Sequence, residues 1–322
     1  MTRPSVISMP GAERCADRIA ERLGASRCAL ESRRFPDGEI YLRVVDDVRG
    51  RDVAVVAQLR DPDPQLPGLL FLADALRELG ARSVGLVAPY LPYMRQDIRF
   101  RPGEAVASRS FARLVSTAFA WLVTVDPHLH RVASLDAIYA IPTAVVPSAP
   151  AIAAWIQTQV RHPHLVGPDE ESAQWVAEVA AFVGCPYTVL RKHRSGDRSV
   201  ELTLPDLEPL RGRTPVLVDD IIASGQTLAA TVGRLRAIGL AAPVCVGVHA
   251  VFAGDAAGAL QAAVAARVVS CNTLLHESNA IDVSGALAEA VRVMLEGVSW
   301  CRARCHEQDR STRPASPQGP AR

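Results

Sequence analysis

The sequence lacks a surplus of charge of either sign. Its 322 residues carry 35 Lys and Arg against 34 Asp and Glu, which gives a net charge of +1. Without a global field, the chain has no general attraction for DNA, RNA or an anionic membrane surface. Any recognition of phosphate must therefore come from local groups.

A long, uninterrupted apolar run is also absent. The most apolar stretch, 244–269, is broken by His249, Asp255, Gln261 and Arg267. It is too interrupted for the about 20 apolar residues of a membrane span. The first 23 residues contain charges throughout and no apolar core of a secretory signal. We therefore expect neither a secreted protein nor a membrane protein.

The cysteines lack the spacing of a disulfide framework. There are seven of them, an odd number, and they are scattered along the chain. This pattern favours reduced thiols in a reducing compartment, so we predict a cytoplasmic location. Cys301, Cys305 and His306 are close in sequence, but no fourth ligand is evident and we predict no metal site there.

Short apolar, β-branched runs alternate with longer segments of helical pattern. Continuous apolar strands separated by helices are typical of parallel βαβ units buried on both faces. The class is therefore α/β. The predicted strands are 53–59, 83–88, 121–126, 143–146, 164–167, 187–192, 215–219, 243–249 and 266–271. The predicted helices are 68–79, 106–119, 149–160, 171–183, 226–238 and 285–295.

The length suggests about two domains. A break at 142–150 divides the chain into halves that each contain several βα units and a strand ending in acidic residues. We predict two similar domains, 1–146 and 147–300, each a mainly parallel sheet flanked by helices. Beyond Trp300 the composition shifts to Arg, Ser, Pro and Gln, which predicts a disordered tail over 301–322.

The strongest chemical motif follows the apolar strand at 216–218. The strand ends in Asp219 and Asp220, and a short turn then leads into a predicted helix. Ligands of open α/β sheets bind at the carboxyl ends of strands, and a helix N-terminus offers N–H groups to a phosphate. Ser224 and Thr227 can add hydroxyl donors, and two carboxylates can bind sugar hydroxyls. We predict a sugar-phosphate site; the simpler alternative is an Asp that caps the helix beside ordinary turn residues.

This segment resembles the phosphoribosyl-diphosphate-binding loop of the type I phosphoribosyltransferase fold. From about 35 to 284, the chain resembles one family with that fold, the ribose-phosphate diphosphokinases. The resemblance implies two phosphoribosyltransferase-like domains, transfer of diphosphate from ATP to the 1-hydroxyl of ribose 5-phosphate, Mg²⁺ as cofactor, and a homo-oligomer. It also implies ribose 5-phosphate contacts at Arg194, Asp219, Asp220, Ala223, Ser224, Gly225, Gln226 and Thr227.

The segment 34–41, Arg-Phe-Pro-Asp-Gly-Glu-Ile-Tyr, resembles the family loop that reaches across a subunit interface to hold adenine. Phe35 supplies a flat stacking face, and Asp37 and Glu39 supply acceptors for an exocyclic amine. Together with Gly38 they are predicted ATP contacts. The alternative is a surface turn built on Pro-Asp-Gly.

Arg95, Gln96 and Asp97 resemble the family's Arg-Gln-Asp, which contacts the nucleotide. Arg95 can pair with phosphate oxygens in a fork, and Gln96 can contact a base or ribose edge. All three are predicted ATP contacts. The alternative is a solvated loop with an internal Arg–Asp pair.

His128 matches the family's Asp-x-His at a strand end, and Asp169 matches its second metal position. Because Mg²⁺ prefers oxygen ligands, Asp169 supplies what a lone imidazole cannot. We predict both as metal ligands. The alternative for His128, and our interpretation of His130, is a structural histidine.

The basic segment 191–198 resembles the catalytic loop of the family, in which Lys192 and Arg194 match the two cations. They are the predicted catalytic residues. The alternative is a solvated basic turn.

The sequence departs from the best-known class of the family at several positions. Ala223 stands where an acid is usual, Gln226 where a glycine is usual, and Arg191 where an acid precedes the lysine. The segment 98–104 lacks the Ser and Arg of that class's regulatory site, which predicts weak dependence on free phosphate. Two other functions stay open, a non-catalytic regulatory paralogue and a phosphoribosyltransferase that consumes phosphoribosyl diphosphate.

Overall fold

The computed structural model of the protein describes residues 3–195, 199–203 and 210–311. The N-terminal sheet has six parallel strands in the order β2-β1-β5-β6-β7-β8. They are β1 (Ser5–Ser8), β2 (Ser26–Cys28), β5 (Asp52–Val56), β6 (Ser83–Val87), β7 (Leu122–Val125) and β8 (Thr143–Val146). An antiparallel hairpin, β3 (Leu30–Arg34) and β4 (Ile40–Val44), stands apart from the sheet. The helices of this half are α1 (Glu13–Leu23), α2 (Leu66–Glu78) and α3 (Ala107–Ala118).

The C-terminal sheet repeats this arrangement with the order β10-β9-β13-β14-β15-β16, again all parallel. Its strands are β9 (Pro163–Gly167), β10 (Tyr187–Val189), β13 (Thr214–Ile222), β14 (Val244–Ala250), β15 (Arg267–Cys271) and β16 (Asn279–Ile281). A second antiparallel hairpin comprises β11 (Arg191–Ser195) and β12 (Ser199–Thr203). The helices are α4 (Ala149–Gln159), α5 (Ala173–Val183), α6 (Gln226–Ala237), α7 (Ala256–Ala262) and α8 (Ser284–Ser311).

Both halves therefore share one topology. In each, the first strand of the sheet lies between the second and the third, and an antiparallel hairpin is inserted after the second strand. This confirms the predicted α/β class with two similar, parallel-sheet domains. The common topology places the carboxyl ends of the parallel strands at one edge of each sheet, where ligands of such folds bind.

Every predicted strand and helix has a counterpart, but short or polar elements were missed. β3 has the sequence Leu-Glu-Ser-Arg-Arg and is mostly exposed, so it shows no apolar run. The missed elements are β1, β2, β3, β4, β12, β16, α1 and α7. The run 187–192 forms two strands rather than one, since the chain leaves the sheet at Leu190.

Helix α8 follows the C-terminal sheet but packs on the N-terminal half, against α1, β7 and β8. Its Leu287 and Val291 belong to the same apolar cluster as Trp121 and Val123. The cluster continues through Val216 and Val246 of the second sheet, so one core joins both halves. The start of α8 thus covers part of the N-terminal sheet, although it follows the C-terminal sheet in the chain.

The prediction of a disordered tail over 301–322 differs from the structure over 301–311, where α8 continues to Ser311. This stretch has no Pro or Gly and contains several good helix formers, and the first proline of the tail is Pro314. Residues 312–322 lie outside the described part of the chain. Within the described part, no helix combines the length and apolarity that crossing a membrane requires.

Candidate active site

A cavity of about 450 Å³ lies where the carboxyl ends of β7, β9 and β13 meet. Residues from both halves of the chain line it, so neither half forms the cavity alone. The predicted site residues that line it are Arg95, His128, Asp169, Asp219, Asp220, Ala223, Ser224, Gly225 and Thr227. The structure therefore brings most of the predicted phosphate, sugar and metal residues together.

The cavity is lined by the end of β13, the turn after it and the start of α6, which together we call the sugar-phosphate loop (residues 219–227). β13 runs further than predicted, because Ile221 and Ile222 continue the parallel ladder with β14. Gly225 then takes φ +70°, and a Cβ there would lie 3.0 Å from the carbonyl oxygen of Ala256. A glycine is required both for the left-handed turn and for the close approach of α7.

Helix α6 begins at this turn without a side-chain cap. Its N-cap residue is Gly225, and the Ser224 Oγ lies 3.5 Å from the Gln226 amide nitrogen. An uncapped helix N-terminus presents N–H groups and a positive dipole end, which suits a phosphate. The Gln226 side chain is exposed and does not line the cavity. Its predicted contact with ribose 5-phosphate could therefore be made only by its backbone amide.

The two adjacent carboxylates differ in their electrostatics. Burial raises the pKa of Asp219 well above its usual range, and the charges of Asp220 and Asp169 raise it further. Burial also acts to raise the pKa of Asp220, but the hydrogen bond and charge of His128 outweigh it, with His249 and His130 adding to the effect, so the pKa is lowered. Asp220 is therefore the ionised member of the pair, and Asp219 the member that most readily holds a proton.

His128 connects the two halves of the site. Its Nδ1 lies 2.5 Å from Oδ2 of Asp220. The ring of His130 lies edge-on to it, with centroids 4.0 Å apart. His128 lies just past β7, two residues after Asp126, whose φ is +29°.

The donor set fits a magnesium ion that also binds substrate phosphates. Among the described residues, no group of three or more His, Cys, Asp or Glu could hold a metal by protein side chains alone. Magnesium, however, commonly binds through one or two carboxylates plus waters and phosphate oxygens. Burial is the main reason why the pKa of Asp219 is raised, and the negative charges of Asp220 and Asp169 raise it further; a divalent cation would relieve that second contribution.

Asp169 lies at the end of β9, opposite the sugar-phosphate loop. Its carboxylate accepts a hydrogen bond of 3.3 Å from the Ser172 amide, and its carbonyl oxygen accepts one of 2.6 Å from the Ser172 hydroxyl. These bonds fix the turn and hold the carboxylate at the cavity wall.

The segment 34–41 forms the exposed tip of the β3–β4 hairpin, and none of its residues lines the cavity. The Phe35 ring is 39% exposed, with the Arg33 guanidinium 4.5 Å from its centroid. Gly38 has φ +92°, and Oδ1 of Asp37 accepts a hydrogen bond of 3.1 Å from the Glu39 amide. Within one chain, these predicted ATP residues are thus separated from the rest of the site.

The Arg-Gln-Asp trio divides in the structure. Arg95 is exposed and lines the cavity. Gln96 does not line it, and Asp97 is 4% exposed with its Oδ1 3.1 Å from Nη1 of Arg131. Asp97 thus does not face the cavity of its own chain, and its contact with a nucleotide stays a prediction. The alternative, a solvated loop with an internal Arg–Asp pair, matches only in part: Asp97 pairs with an arginine, Arg131, but Asp97 itself is buried.

Lys192 and Arg194 lie on β11, opposite Leu202 and Val200 of β12. Their side chains lie outside the described part of the structure. The Leu190 amide just before them donates a hydrogen bond of 2.9 Å to the carbonyl of Gly167. The hairpin therefore leaves the sheet beside the segment that carries Asp169.

Sequence reasoning missed a second layer of residues behind the cavity. The amides of Phe252 and Ala253 donate to the carbonyls of Ile222 (2.8 Å) and Ala223 (2.9 Å), and Nη2 of Arg60 donates to the Phe252 carbonyl at 3.1 Å. This brace, Arg60 with residues 252–253, ties the sugar-phosphate loop to the N-terminal half. Only the position of residues 250–254 after an apolar strand could have signalled it.

Comparison with known proteins agrees with this geometry. The family model of the N-terminal domain of ribose phosphate pyrophosphokinase matches residues 5–118, and that of the phosphoribosyl transferase domain matches 134–285. The sheets and the loop thus define a protein of the phosphoribosyltransferase fold.

Relatives and a solved structure specify the branch. A ribose-phosphate pyrophosphokinase of Methanobrevibacter smithii is 31% identical over 299 residues, covering 89% of this chain and 99% of that protein. One of Methanopyrus kandleri is 35% identical, covering 85% and 94%. The phosphoribosylpyrophosphate synthetase of Mycobacterium smegmatis superimposes with a TM-score of 0.80 at 25% identity, covering 92% and 100%. The chain belongs to the ribose-phosphate pyrophosphokinase family.

Proposed function

We propose that this chain is a ribose-phosphate diphosphokinase, which transfers diphosphate from ATP to the 1-hydroxyl of ribose 5-phosphate and releases AMP. One observation carries the proposal beyond family membership. One cavity between the domains is lined by an uncapped helix N-terminus, by His128, and by two carboxylates whose pKa values are shifted in opposite directions, that of Asp219 up and that of Asp220 down. This arrangement suits a sugar phosphate on one side and a polyphosphate on the other.

The sugar-phosphate loop binds ribose 5-phosphate in this proposal. The amides that open α6, with the hydroxyls of Ser224 and Thr227, hold the 5-phosphate. The Asp220 carboxylate accepts hydrogen bonds from the ring hydroxyls. Asp219, with its raised pKa, acts either as an acceptor or, when protonated, as a donor. Because Ala223 replaces the usual acid of the family, these two carboxylates carry the whole task.

Arg95 and His128 contact the triphosphate, and Lys192 and Arg194 stabilise the charge that develops as AMP departs. His128 and Asp169 are the proposed protein ligands of Mg²⁺, with His128 using the ring nitrogen that does not face Asp220. Bound Mg²⁺ would neutralise phosphate charge and align the attacking and leaving oxygens. The protein itself contributes mainly by holding the two substrates in position for the transfer.

The adenine is held by a second copy of the chain. Phe35, Asp37, Gly38 and Glu39 lie on an exposed hairpin tip away from the cavity of their own subunit. A homo-oligomer, dimer or larger, in which this tip reaches a neighbour's cavity would complete the ATP site. Weak dependence on free phosphate and a cytoplasmic location are further parts of the proposal. The five cysteines with described side chains are all free, which suits a reducing compartment.

The direct test measures AMP formed from ATP by the purified protein with ribose 5-phosphate and Mg²⁺. We expect AMP and phosphoribosyl diphosphate in equal amounts, with neither formed when the sugar phosphate is omitted. A non-catalytic paralogue would form no AMP but would change the rate of an added active synthetase. A phosphoribosyltransferase would instead consume phosphoribosyl diphosphate when a free base is supplied. Either of these results would overturn the proposal.

A further inference from the structure

His249 is a buried histidine for which the proposed reaction has no direct use. It lies on β14 with 1% of its surface exposed, and it does not line the cavity. In the parallel register it stands opposite Ile221, one residue beyond Asp220. It therefore sits directly behind the acidic end of β13.

The His249 ring bridges the two halves of the chain. Its Nε2 lies 3.1 Å from the carbonyl oxygen of Asp126, just past β7. Since a carbonyl can only accept, Nε2 carries the proton and donates it. The ring of Tyr90, at the end of β6, packs against it with centroids 5.0 Å apart. On the other side, Nδ1 lies 3.0 Å from the Thr273 Oγ1.

The backbone that His249 holds is a strained turn. Asp126 has φ +29°, in the left-handed region that side chains other than glycine rarely adopt. The turn is held from one side by Ser148, whose amide and hydroxyl donate to the Asp126 carboxylate at 2.8 and 2.5 Å. From the opposite side, His249 holds its carbonyl. Such a conformation persists only when its surroundings determine it strongly.

Two residues after this carbonyl, His128 reaches across to Asp220. Both cross-domain bonds thus join the same short turn to neighbouring strands, one bond from His249 on β14 and the other to Asp220 on β13. A shift of the Asp126 carbonyl would move the start of the His128 side chain relative to its partner.

We propose that His249 is a positioning residue, whose Nε2–H fixes the Asp126 turn and thereby aims His128 at Asp220 and the substrate phosphates. The inference rests on the proposed function, because it assigns His249 a role in that reaction. It differs from a packing role in one respect: the effect of losing the Nε2 bond must depend on His128 being present.

Two near-isosteric substitutions separate the two hydrogen bonds of the ring. In His249→Gln, the amide nitrogen lies near the former Nε2 and can still donate to the Asp126 carbonyl. In His249→Asn, the shorter amide lies near the former Nδ1 and keeps only the contact with Thr273. We expect the Asn variant to lose roughly 10–100-fold in kcat, as displaced catalytic groups do, and the Gln variant to lose less than about threefold.

The control for folding is a thermal melt of both variants, and the control for a specific role is the His128→Ala background. We expect His249→Asn to cause little further loss in kcat or in ATP affinity once His128 is absent, because the two residues act as one unit. Equal losses in both backgrounds, or equal activity of the Asn and Gln variants at similar melting temperatures, would overturn the inference. An inactive wild-type protein would contradict the proposed function instead, and an unaltered ATP affinity of His249→Asn in direct titration would then overturn the positioning role as well.

Discussion

Nδ1 of His128 lies 2.5 Å from Oδ2 of Asp220, although the two residues are 92 positions apart and belong to different halves of the chain, His128 just after β7 and Asp220 near the end of β13. Both residues line the cavity, and their contact joins the two halves of the chain there. It also separates the properties of two adjacent carboxylates, because only Asp220 is paired with the histidine. The consequences for substrate binding, turnover and stability can be measured separately.

We expect Asp220→Asn and Asp219→Asn to differ sharply. Asparagine resembles a neutral carboxylic acid, so it replaces Asp219, whose pKa is raised, with modest change, whereas at Asp220 it removes a charge paired with His128. Steady-state AMP formation should fall roughly 10²–10³-fold for Asp220→Asn, as for loss of a preorganised charged group, and less than about tenfold for Asp219→Asn. Equal losses in kcat/KM for ribose 5-phosphate would contradict the assignment.

Lys192→Ala should lower kcat roughly 10²–10³-fold, because the cation stabilises charge that develops only in the transition state. Calorimetric titration with ATP should give a nearly unchanged affinity. Lys192→Arg, which keeps a positive charge, is the matched variant and should retain more activity. A large loss of ATP affinity with unchanged turnover would show that Lys192 binds the ground state instead.

Arg60→Gln should raise the KM for ribose 5-phosphate several-fold with a smaller effect on the KM for ATP. The reason is that Arg60 holds the carbonyl of Phe252, whose amide in turn braces the sugar-phosphate loop. Arg292→Gln is the control, since it removes two exposed contacts of α8, an ion pair with Glu289 and a hydrogen bond to the Arg22 carbonyl, and exposed ion pairs contribute about 0–1 kcal/mol. Indistinguishable kinetics of the two variants would argue against the brace.

The shared adenine site predicts complementation between two inactive variants. Phe35→Ala impairs the hairpin with which a subunit completes its neighbour's ATP site. Asp220→Asn impairs the cavity of the subunit that carries it. Random co-assembly as dimers would leave about a quarter of all sites intact, because half of the dimers are mixed and one of their two sites carries neither change. Co-expressed variants should thus recover about that fraction of activity. No gain over the separate variants would mean that each chain uses its own hairpin or none.

The buried imidazole of His249 predicts a loss of stability in mild acid. Burial lowers the pKa of His249 in the folded chain below the ordinary value of 6.5 that it has in the unfolded chain. At pH values between the folded and the unfolded pKa, the unfolded chain binds a proton that the folded chain does not. Its contribution is therefore complete above about pH 7 and is lost progressively as the pH falls through ~6.5. Chemical unfolding between pH 5 and pH 8 should show this slope, and His249→Gln should reduce it. An unchanged slope in that variant would assign the effect to other groups.

Some features of the fold were already evident in local sequence. Apolar strands such as β13 and β14 are recognisable because both faces are buried. Asp219 and Asp220 near the end of β13 come before Gly225 in the order that a phosphate-binding turn needs. By contrast, the β3–β4 hairpin lies outside both sheets and has no apolar alternation to reveal it. The sequence predicts helix α8 but not that it covers the N-terminal sheet, because an apolar helix face does not specify the surface against which it packs.

The sequence by itself determined the class of fold and the chemical types at the site, because hydrophobic periodicity and strand-end motifs are properties of neighbouring residues. Only the tertiary structure decided which of these residues meet. It paired the buried Asp97 with Arg131, put His128 against Asp220, and placed His249 behind both. These contacts join positions far apart in the chain, so they depend on how the two sheets pack against each other, which no local pattern specifies.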